Sequence, residues 1–538
     1  MKSLVLFGRT IFFFSLYFLA FNSYCLADDE TILVQTKSGP VLGQKSGEVL
    51  SFMGIPYAAA PIEDLRFAPP ADPKPWSTPF KADKPGAVCF QLKLNIPALE
   101  AMNNRTVSED CLNLNVYAPK DTKAGDALPV YVFIHGGGFA IGAGNQDIFD
   151  MSELVKRKIV AVSLNYRLGG LGFLASEETF KRYGTTGNWG LLDQIKALEW
   201  VRDNIKAFGG APDKVTIGGE SAGSMSVSAL LTSPLAKGLF RGAIMESGSV
   251  LSLYKLPNNY SSAQLNPSMA LGKTIMAVLG LKDDEEGLRA LREIPPEVIT
   301  RLTPFAFNWT KPARFTLAPV RDGYVVPLDP QSALATGNFN HVNLLIGFNS
   351  DEGALFVPEG ASRDDLREMI FLTLGYQASE AFGQRFPPDK DNDPLQRARQ
   401  ALGLGIFTAA SKRTADLHSR FAPLYMYNFN YVSPSNNKLA RGALHASELG
   451  YIFSTLYDKN NPIERKLSEE MQTRWVNFVK TGNPNKGDKL PSDVQWPGYL
   501  ATNPMVLKIN EPMEVGPLDS ESLDFMADQL YGPLSEIK

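Results

Sequence analysis

Short apolar runs recur along the chain, and between them lie stretches in which apolar residues repeat at helical spacing. The runs are rich in Val, Ile and aromatic residues, a composition typical of strands that are buried on both faces of a sheet. The predicted strands are Leu128–Ile134, Ile159–Leu164, Lys214–Ile217, Ala243–Glu246, Asn343–Phe348 and Leu424–Phe429.

The stretches between the strands predict amphipathic helices. In 193–208, apolar residues fall on one stripe, and the pattern ends at two glycines. A similar pattern covers 468–481 and stops at Gly482. Because strands and helices alternate, the sequence predicts an α/β fold with a mostly parallel central sheet and helices on both faces.

Other segments depart from this alternation. Residues 32–44 carry the turn sequence Ser-Gly-Pro in their middle, which predicts an antiparallel hairpin at the edge of the sheet. Segments 250–315 and 355–415 lack clear strand runs and contain Pro, Gly and irregular helical patterns. We interpret them as insertions near a site rather than as independent domains.

The first 27 residues have the pattern of a secretory signal peptide. Lys2 and Arg9 give a basic start, 11–21 is apolar, and the small residue Ala27 precedes an acidic run. The apolar part is shorter than the roughly 20 residues that a spanning helix needs. The sequence therefore predicts an exported protein, secreted or periplasmic; the alternative is an N-terminal anchor that is kept. No later segment has the length and apolarity of a membrane span.

The chain has three cysteines, Cys25, Cys89 and Cys111. Cleavage of the leader removes Cys25 and leaves an even pair, which in an exported protein favours one disulfide. Two buried free thiols would be the expectation for a cytosolic protein. The sequence carries no C-x-x-C motif, no H-E-x-x-H motif and no clustered histidines, so we expect no metal site.

Composition and charge narrow the classes of function. The chain has 538 residues, of which 44% are hydrophobic and 20% charged, as in an ordinary globular protein with a large core. Its formal charge is −4, and it contains no basic block. Nucleic acid is therefore not an expected partner.

The pentapeptide 219–223 reads G-x-S-x-G, directly after the predicted strand Lys214–Ile217 and before a helical pattern. A serine at such a strand-to-helix turn is held in a strained conformation, and only small neighbours allow so sharp a turn. The turn projects the Ser221 hydroxyl beyond the carboxyl edge of the sheet, near the backbone N–H groups of the helix start. The motif predicts a nucleophilic serine.

A glycine run, 136–138, follows His135 and the predicted strand Leu128–Ile134. Consecutive glycines let the main chain approach a ligand closely and leave its N–H groups available. Stabilising the oxyanion of a tetrahedral intermediate demands such donors, each worth about 3 kcal/mol. The alternatives are a flexible turn and a phosphate-binding loop, but the run lacks the G-K-[ST] ending of the latter.

Together with these two motifs, several others resemble the type-B carboxylesterase and cholinesterase family. They are Glu-Asp-Cys-Leu-Asn-Leu-Asn at 109–115, Asn-Tyr-Arg at 165–167, Gly-Asn-Trp-Gly-Leu-Leu-Asp-Gln at 187–194 and Pro-Val-Arg-Asp-Gly at 319–323. The resemblance runs from about Gly39 to Trp496, almost the whole mature chain. It implies an α/β-hydrolase fold, with residues 28–538 forming a single domain.

The resemblance also implies a catalytic triad. By motif, Ser221 matches the nucleophile, Glu352 the acid and His445 the base. The order Ser, acid, His independently fits an α/β-hydrolase. From the residues alone Asp351 remains a rival acid, and the base is one of four histidines. Of these, His445 follows the last strong strand, where the hydrolase order places the base.

The same resemblance implies the supporting residues. Gly137, Gly138 and Ala222 match the oxyanion donors, and Ser247 matches a serine that supports the triad acid. Cys89 and Cys111 match the first disulfide of the family. Glu220, beside the nucleophile, either influences the electric field of the pocket or braces the turn.

One departure from the cholinesterase pattern concerns the loop between Cys89 and Cys111. Its only aromatic residue is Phe90, and it has no Trp. The cholinesterases that this chain resembles hold the choline cation against a Trp in that loop, by a cation–π contact. A specialist for choline esters is therefore not expected.

The sequence thus predicts a cofactor-independent serine carboxylesterase for small-molecule esters. In it, Ser221 attacks the ester carbonyl, His445 takes its proton, and water later hydrolyses the acyl-enzyme. One alternative is a lipase that acts on aggregated lipid esters. Another is a non-catalytic adhesion module on the same fold.

Overall fold

The computed structural model describes residues 30–93, 104–254, 266–302, 317–387, 393–434 and 442–537. The predicted signal peptide, residues 1–27, lies outside the described residues.

The described residues contain one thirteen-stranded sheet. In chain order its strands are β1 Glu30–Gln35, β2 Pro40–Ser46, β3 Val49–Pro56, β4 Phe80–Lys81, β5 Asn113–Pro119, β6 Leu128–Ile134, β7 Val160–Leu164, β8 Gly210–Glu220, β9 Gly242–Glu246, β10 Asn343–Asn349, β11 Leu424–Phe429, β12 Met505–Ile509 and β13 Glu514–Pro517. Across the sheet the order is β1-β2-β3-β5-β7-β6-β8-β9-β10-β11-β12-β13, with β4 beside β2.

The centre of the sheet is parallel and its margins are antiparallel. Strands β7, β6 and β8 to β12 run parallel to their neighbours within that set. Strands β1, β2, β3, β5 and β7 pair antiparallel, and so do β12 and β13 at the far edge. The predicted mostly parallel α/β sheet with an antiparallel N-terminal edge is confirmed, and the predicted hairpin forms β1 and β2.

Helices connect and cover the strands. They are Ser152–Val155, Gly169–Phe173, Glu177–Tyr183, Trp189–Asn204, Ala222–Thr232, Asn266–Val278, Glu285–Glu293, Pro296–Leu302, Pro330–Ala335, Arg363–Leu374, Tyr376–Arg385, Pro394–Leu402, Ala409–His418, Leu449–Ile452, Pro462–Thr481 and Ser520–Tyr531. A six-residue π-helix, Gly403–Thr408, links two of them. None of the helices in the described ranges is both long and apolar enough to cross a bilayer.

The parallel strands are buried on both faces, as their continuous apolar runs predict. In β6, Val130, Val132 and Ile134 join one hydrophobic cluster, whereas Tyr131 and Phe133 join a second cluster on the opposite face. Successive side chains of a strand point to opposite faces, so two helical layers must cover the sheet.

The carboxyl ends of the parallel strands bring the predicted site residues to one edge. Ser221 follows β8, Ser247 follows β9, and Glu352 lies three residues after β10. In an open parallel sheet, ligands bind outside the carboxyl ends of the strands. The topology therefore gathers residues that are far apart in the sequence.

Candidate active site

Ser221 occupies a strained turn between β8 and the helix Ala222–Thr232. Its backbone has φ +57° and ψ −122°, a conformation that L-residues rarely adopt. The Ser221 N–H donates to the carbonyl of Glu246 on β9 over 2.8 Å, which fixes the turn to the neighbouring strand. Ser221 retains 9% of its surface exposure, so it is enclosed but not sealed.

Two glycines make this turn sterically possible. A Cβ on Gly219 would lie 2.5 Å from the backbone carbon of Gly223, and a Cβ on Gly223 would lie 2.1 Å from the carbonyl oxygen of Ile134. Both distances are far inside van der Waals contact. The G-x-S-x-G spacing is thus required by the close approach of β6, β8 and the helix start.

The glycine run after β6 passes directly beside the serine. A Cβ on Gly136 would lie 3.1 Å from Cβ of Ser221, and Gly137 and Gly138 have φ of +106° and +60°. Within the part of the chain that the structure describes, the N–H groups of Gly137, Gly138 and Ala222 donate no hydrogen bond. Three N–H groups in the segments that meet at Ser221 are therefore available as donors.

His135 packs beneath the glycine run 136–138 and contacts its backbone. It is wholly buried, stacks on Tyr166 with 4.4 Å between ring centroids, and its Nδ1 lies 2.8 Å from the carbonyl oxygen of Gly136. Burial lowers the pKa of His135 to about 4, so the ring is neutral and donates to that carbonyl. This placement agrees with a bracing role for His135.

Glu352 and His445 form a direct hydrogen bond. Nδ1 of His445 donates to Oε2 of Glu352 over 2.5 Å. The other carboxylate oxygen, Oε1, accepts from the Ser247 hydroxyl and from the backbone N–H of Asn349, each over 2.6 Å. Glu352, rather than Asp351, is therefore the carboxylate that contacts the imidazole.

The loop that carries His445 is tied to the end of β10. The backbone of Asp351 donates to the carbonyl of Ala443 over 2.9 Å, and the Asn349 side chain donates to the carbonyl of Leu444 over 2.7 Å. These bonds hold a histidine 93 residues downstream beside Glu352.

Glu220 makes the second charge contact of His445. Its Oε1 lies 3.0 Å from Nε2 of the imidazole, but without hydrogen-bond geometry, since this oxygen has no hydrogen-bond partner among the described residues. Within that part of the chain, the polar contacts of His445 reach two carboxylates rather than the Ser221 hydroxyl. Nε2 must turn from Glu220 toward Ser221 to take its proton, and such hydrogen bonds often tighten only when substrate binds.

The two carboxylates change the basicity of the imidazole. Burial alone would lower the pKa of His445, but the charges of Glu220 and Glu352 outweigh burial and raise it well above its usual value. The contact places the Glu220 carboxylate beside the imidazole, and the role of Glu220 stays a prediction.

Sequence reasoning missed the aromatic residues that enclose the imidazole. The ring centroids of Phe407 and Phe356 lie 4.4 Å and 5.0 Å from that of His445. Phe407 belongs to the π-helix Gly403–Thr408, and Phe356 ends the short helical turn that starts at Glu352. Both lie in the insertion 355–415, where no sequence signal indicates which side chain faces the site.

Sequence reasoning also missed two buried acids behind the site, Glu246 and Glu448. Available signals were an acidic residue at the end of an apolar strand and a second acid three residues after His445.

Across the described residues, no group of three or more His, Cys, Asp or Glu side chains is arranged to hold a metal ion. The structure joins Cys89 to Cys111 by the disulfide that the even cysteine pair predicts.

Known proteins are similar to this chain in sequence and in fold over most of their lengths. The model of the carboxylesterase family matches residues 30–526. The chain is 35% identical to para-nitrobenzyl esterase of Bacillus subtilis (strain 168) over 87% of this chain and 92% of the relative. It is 34% identical to cocaine esterase of Homo sapiens, over 95% and 94% respectively.

A solved structure of a PNB esterase superposes with a TM-score of 0.78 at 33% identity and covers 92% of this chain and 99% of that chain. This likeness confirms the predicted α/β-hydrolase fold, and the named relatives support carboxylic ester hydrolysis. The protein belongs to the carboxylesterase family and is a carboxylic ester hydrolase.

Proposed function

We propose that the protein is an exported serine carboxylesterase that works through an acyl-enzyme on Ser221. The observation that carries the proposal is the 2.5 Å hydrogen bond between Glu352 and His445, held next to a serine in a strained turn. The Cys89–Cys111 disulfide is compatible with export, because disulfides persist in oxidising compartments.

In the acylation step, the Ser221 hydroxyl attacks the ester carbonyl carbon while Nε2 of His445 accepts its proton. Glu352 holds the imidazole through Nδ1 and stabilises the imidazolium that forms. The N–H groups of Gly137, Gly138 and Ala222 receive the oxyanion. The imidazolium then returns the proton to the leaving alcohol as the bond from carbonyl carbon to alkoxy oxygen breaks.

In the deacylation step, water attacks the acyl carbon of the ester on Ser221. Nε2 of His445 accepts a proton from that water, and the same N–H groups stabilise the second tetrahedral intermediate. Collapse of this intermediate releases the carboxylic acid and returns the proton to Ser221. The cycle consumes one ester and one water and needs no cofactor.

We propose small esters with an apolar acyl or alcohol part as the substrate class. Phe356 and Phe407 surround His445 with apolar surface, which suits an apolar acyl or alcohol group better than a charged one. The relatives are named for a para-nitrobenzyl ester and for cocaine, both of which contain an aromatic ring. Esters with an aromatic alcohol or acyl part are therefore the first substrates to assay.

A fluorophosphonate probe tests the serine directly. Wild-type protein is expected to be labelled, and Ser221→Ala to be neither labelled nor active. Ser226→Ala is a matched control, because Ser226 lies on the same helix and accepts a hydrogen bond from Gln194. Labelling of Ser221→Ala to the wild-type level would contradict the proposed nucleophile, and absence of labelling in both proteins would favour the adhesion module.

The profile of kcat/KM across p-nitrophenyl esters of graded acyl length tests the substrate class. An esterase saturates on short, soluble esters and loses efficiency as chains lengthen. A jump in rate above the critical micelle concentration would instead support a lipase.

A further inference from the structure

A row of polar positions crosses the sheet directly behind the nucleophile. Glu246, the last residue of β9, pairs in register with Glu220 of β8 and with Gly347 of β10, and Gly347 pairs with Tyr427 of β11. Paired residues of neighbouring strands project from the same face of a sheet. Glu246 therefore lies beside Glu220 on the face that Trp475 covers, where the Trp475 indole N–H donates to its Oε1 over 2.6 Å.

Two glycines leave space for the side chains of two tyrosines beside this row, on the same face of the sheet as Glu246. A Cβ on Gly347 would lie 2.3 Å from the ring of Tyr427, and a Cβ on Gly218 would lie 2.4 Å from the hydroxyl oxygen of Tyr131. The register places both tyrosines on the face of Glu246. Burial raises the pKa of both phenols well above the usual value, so both are neutral hydroxyl groups.

Several buried oxygens in this cluster have no hydrogen-bond partner among the described residues. They are Oε2 of Glu246, Oε1 of Glu448, Oε1 of Glu220 and the hydroxyls of Tyr131 and Tyr427. Ionised carboxylates only accept, and packing several of them together in a dry interior is costly. A carboxyl that keeps its proton carries no charge and can donate, which removes the main cost.

Glu246 is the member of the cluster best placed to keep its proton. It is wholly buried, and no lysine or arginine pairs with it within the described residues. The titratable groups that face it are Glu220, Glu448, Tyr131 and Tyr427. Burial, and then repulsion by Glu448 and Glu220, raises the pKa of Glu246 well above its usual value.

We propose that Glu246 is a positioning residue that acts as a neutral carboxylic acid. It fills the space beside Glu220 with a polar group that carries no charge. It therefore adds no third negative charge to those of Glu220 and Glu352 around His445. The proposal rests on the proposed function, because His445 must serve as the base. A negative charge at Glu246 would strengthen the proton affinity of the imidazole further and reduce the fraction of base at neutral pH.

The Glu246→Gln variant tests the charge state by kinetics. Glutamine is a neutral isostere, so we expect kcat/KM for p-nitrophenyl acetate within about twofold of wild type and an unchanged midpoint of the pH profile. A midpoint that moves to lower pH by about half a unit or more would show that wild-type Glu246 is an anion and would overturn the proposal.

The Glu246→Leu variant tests the need for a polar group. We expect kcat to fall roughly tenfold, about 1.4 kcal/mol in barrier, with KM little changed and the pH midpoint in place, because leucine is also uncharged; the Gln variant is expected to keep the wild-type kcat. An unchanged kcat in Glu246→Leu would overturn the positioning role. Thermal unfolding of both variants identifies a variant that fails to fold, in which case Glu246→Gln decides the outcome.

Infrared spectroscopy reads the proton without any reference to catalysis. The spectrum of Ser221→Ala minus that of Ser221→Ala/Glu246→Gln at pH 7 is expected to contain the carbonyl band of a protonated carboxyl, and carboxylate bands in its place would overturn the proposal. Glu464→Gln is the control, because Glu464 is an equally buried glutamate that accepts from the Ser433 hydroxyl and the Asp458 N–H. Because this readout needs no active enzyme, failure of the esterase proposal and failure of the Glu246 proposal are distinguishable.

Discussion

At the scale of single residues, the imidazole of His445 is held between two carboxylates. Glu352 binds Nδ1 over 2.5 Å, and Glu220 lies 3.0 Å from Nε2. A base between two anions keeps its proton to higher pH than an isolated histidine, whose pKa is about 6.5. The same two anions stabilise the imidazolium that forms during each turnover. The two carboxylates thus stabilise the imidazolium intermediate, but at low pH they also reduce the fraction of His445 that is unprotonated and able to act as the base.

This arrangement predicts the pH profile and its response to a charge change at Glu220. The base form of His445 is required, so kcat/KM should rise with pH through a midpoint above about 6.5. Glu220→Gln removes one anion and is expected to lower the midpoint by about one pH unit. Measurement of kcat/KM for p-nitrophenyl acetate from pH 5 to 9 checks this. Glu199→Gln, at a partly exposed glutamate that contacts Lys196, serves as control and should leave the midpoint in place.

Of the proposed catalytic residues, Ser221 is marked by a local motif because backbone geometry restricts its neighbours, whereas Glu352 and His445 were assigned by family resemblance. Gly219 and Gly223 are required by contacts of 2.5 Å and 2.1 Å, and such a requirement leaves a local motif in the sequence. The contact between Glu220 and His445 leaves no local motif, since 225 positions separate them and either residue alone is unremarkable in sequence. The proposal that Glu246 is neutral likewise depends on neighbours from several strands and a helix that are distant in the sequence.

At the scale of secondary structure elements, the π-helix Gly403–Thr408 places Phe407 against the imidazole. A π-turn changes the direction in which side chains leave a helix, and such turns are frequent at functional sites. Phe407 packs on His445 at 4.4 Å and on Phe356 at 5.4 Å between ring centroids. The aromatic pair therefore restricts the imidazole on the side that the carboxylates leave open.

Removal of the Phe407 ring should loosen the imidazole as well as destabilise the fold, since Phe407 is buried and a buried Phe→Ala change costs about 3–5 kcal/mol. An aromatic contact of this kind is worth about 0.5–1.5 kcal/mol, so Phe407→Ala is expected to lower kcat about 2- to 10-fold. Leu404→Ala, at a buried residue of the same π-helix, is the matched control for loss of core volume. Steady-state kinetics and thermal unfolding of both variants separate the two effects. Equal losses of kcat in both would contradict a specific role for Phe407.

The ends of strands were predicted correctly where the run of buried apolar residues coincides with the strand. Leu128–Ile134 and Leu424–Phe429 were predicted with the observed bounds, because both faces of each strand are buried. Strand β8 is longer than predicted at both ends, since Gly210 and Pro212 at its start and Gly218 and Gly219 at its end do not resemble strand residues.

The helix Pro462–Thr481 begins six residues before the predicted start at 468. Three consecutive charged residues, 464–466, interrupt the apolar pattern in its first turn. Asn461, which accepts from the Ile463 N–H, and Pro462 in the first position are the usual signals of a helix start and mark the true boundary.

At the scale of the whole molecule, the two edges of the sheet differ in how far the sequence predicts them. The N-terminal hairpin has a turn sequence between two short strands and is therefore recognisable. Strands β12 and β13 carry no comparable signal, and β12 is positioned by parallel pairing with β11, about 80 residues earlier. The central order of the sheet follows from family resemblance rather than from pattern, because pairing between distant strands depends on packing that no local window contains.

Buried acids behind the site also make the stability of the whole fold depend on pH. Burial, and then repulsion by Glu220 and Glu352, raises the pKa of Glu448 to about 8, against an ordinary value of 4.5 in the unfolded chain. Between these values the folded protein holds a proton that the unfolded chain has released. The free energy of unfolding therefore falls as pH rises through this window, by at most about 1.4 kcal/mol per pH unit from this one group.

Glu448→Gln should remove this dependence, because glutamine has no proton to release. The free energy of unfolding of wild type minus that of Glu448→Gln is expected to decrease steadily from pH 5 to pH 8 and to level off above pH 8. Urea unfolding at several pH values measures the difference, and Glu464→Gln provides the control for loss of another buried carboxyl. A difference that stays constant over the window would mean that Glu448 releases its proton at the same pH in the folded and unfolded chains, and the buried acids would then contribute no pH dependence through this residue.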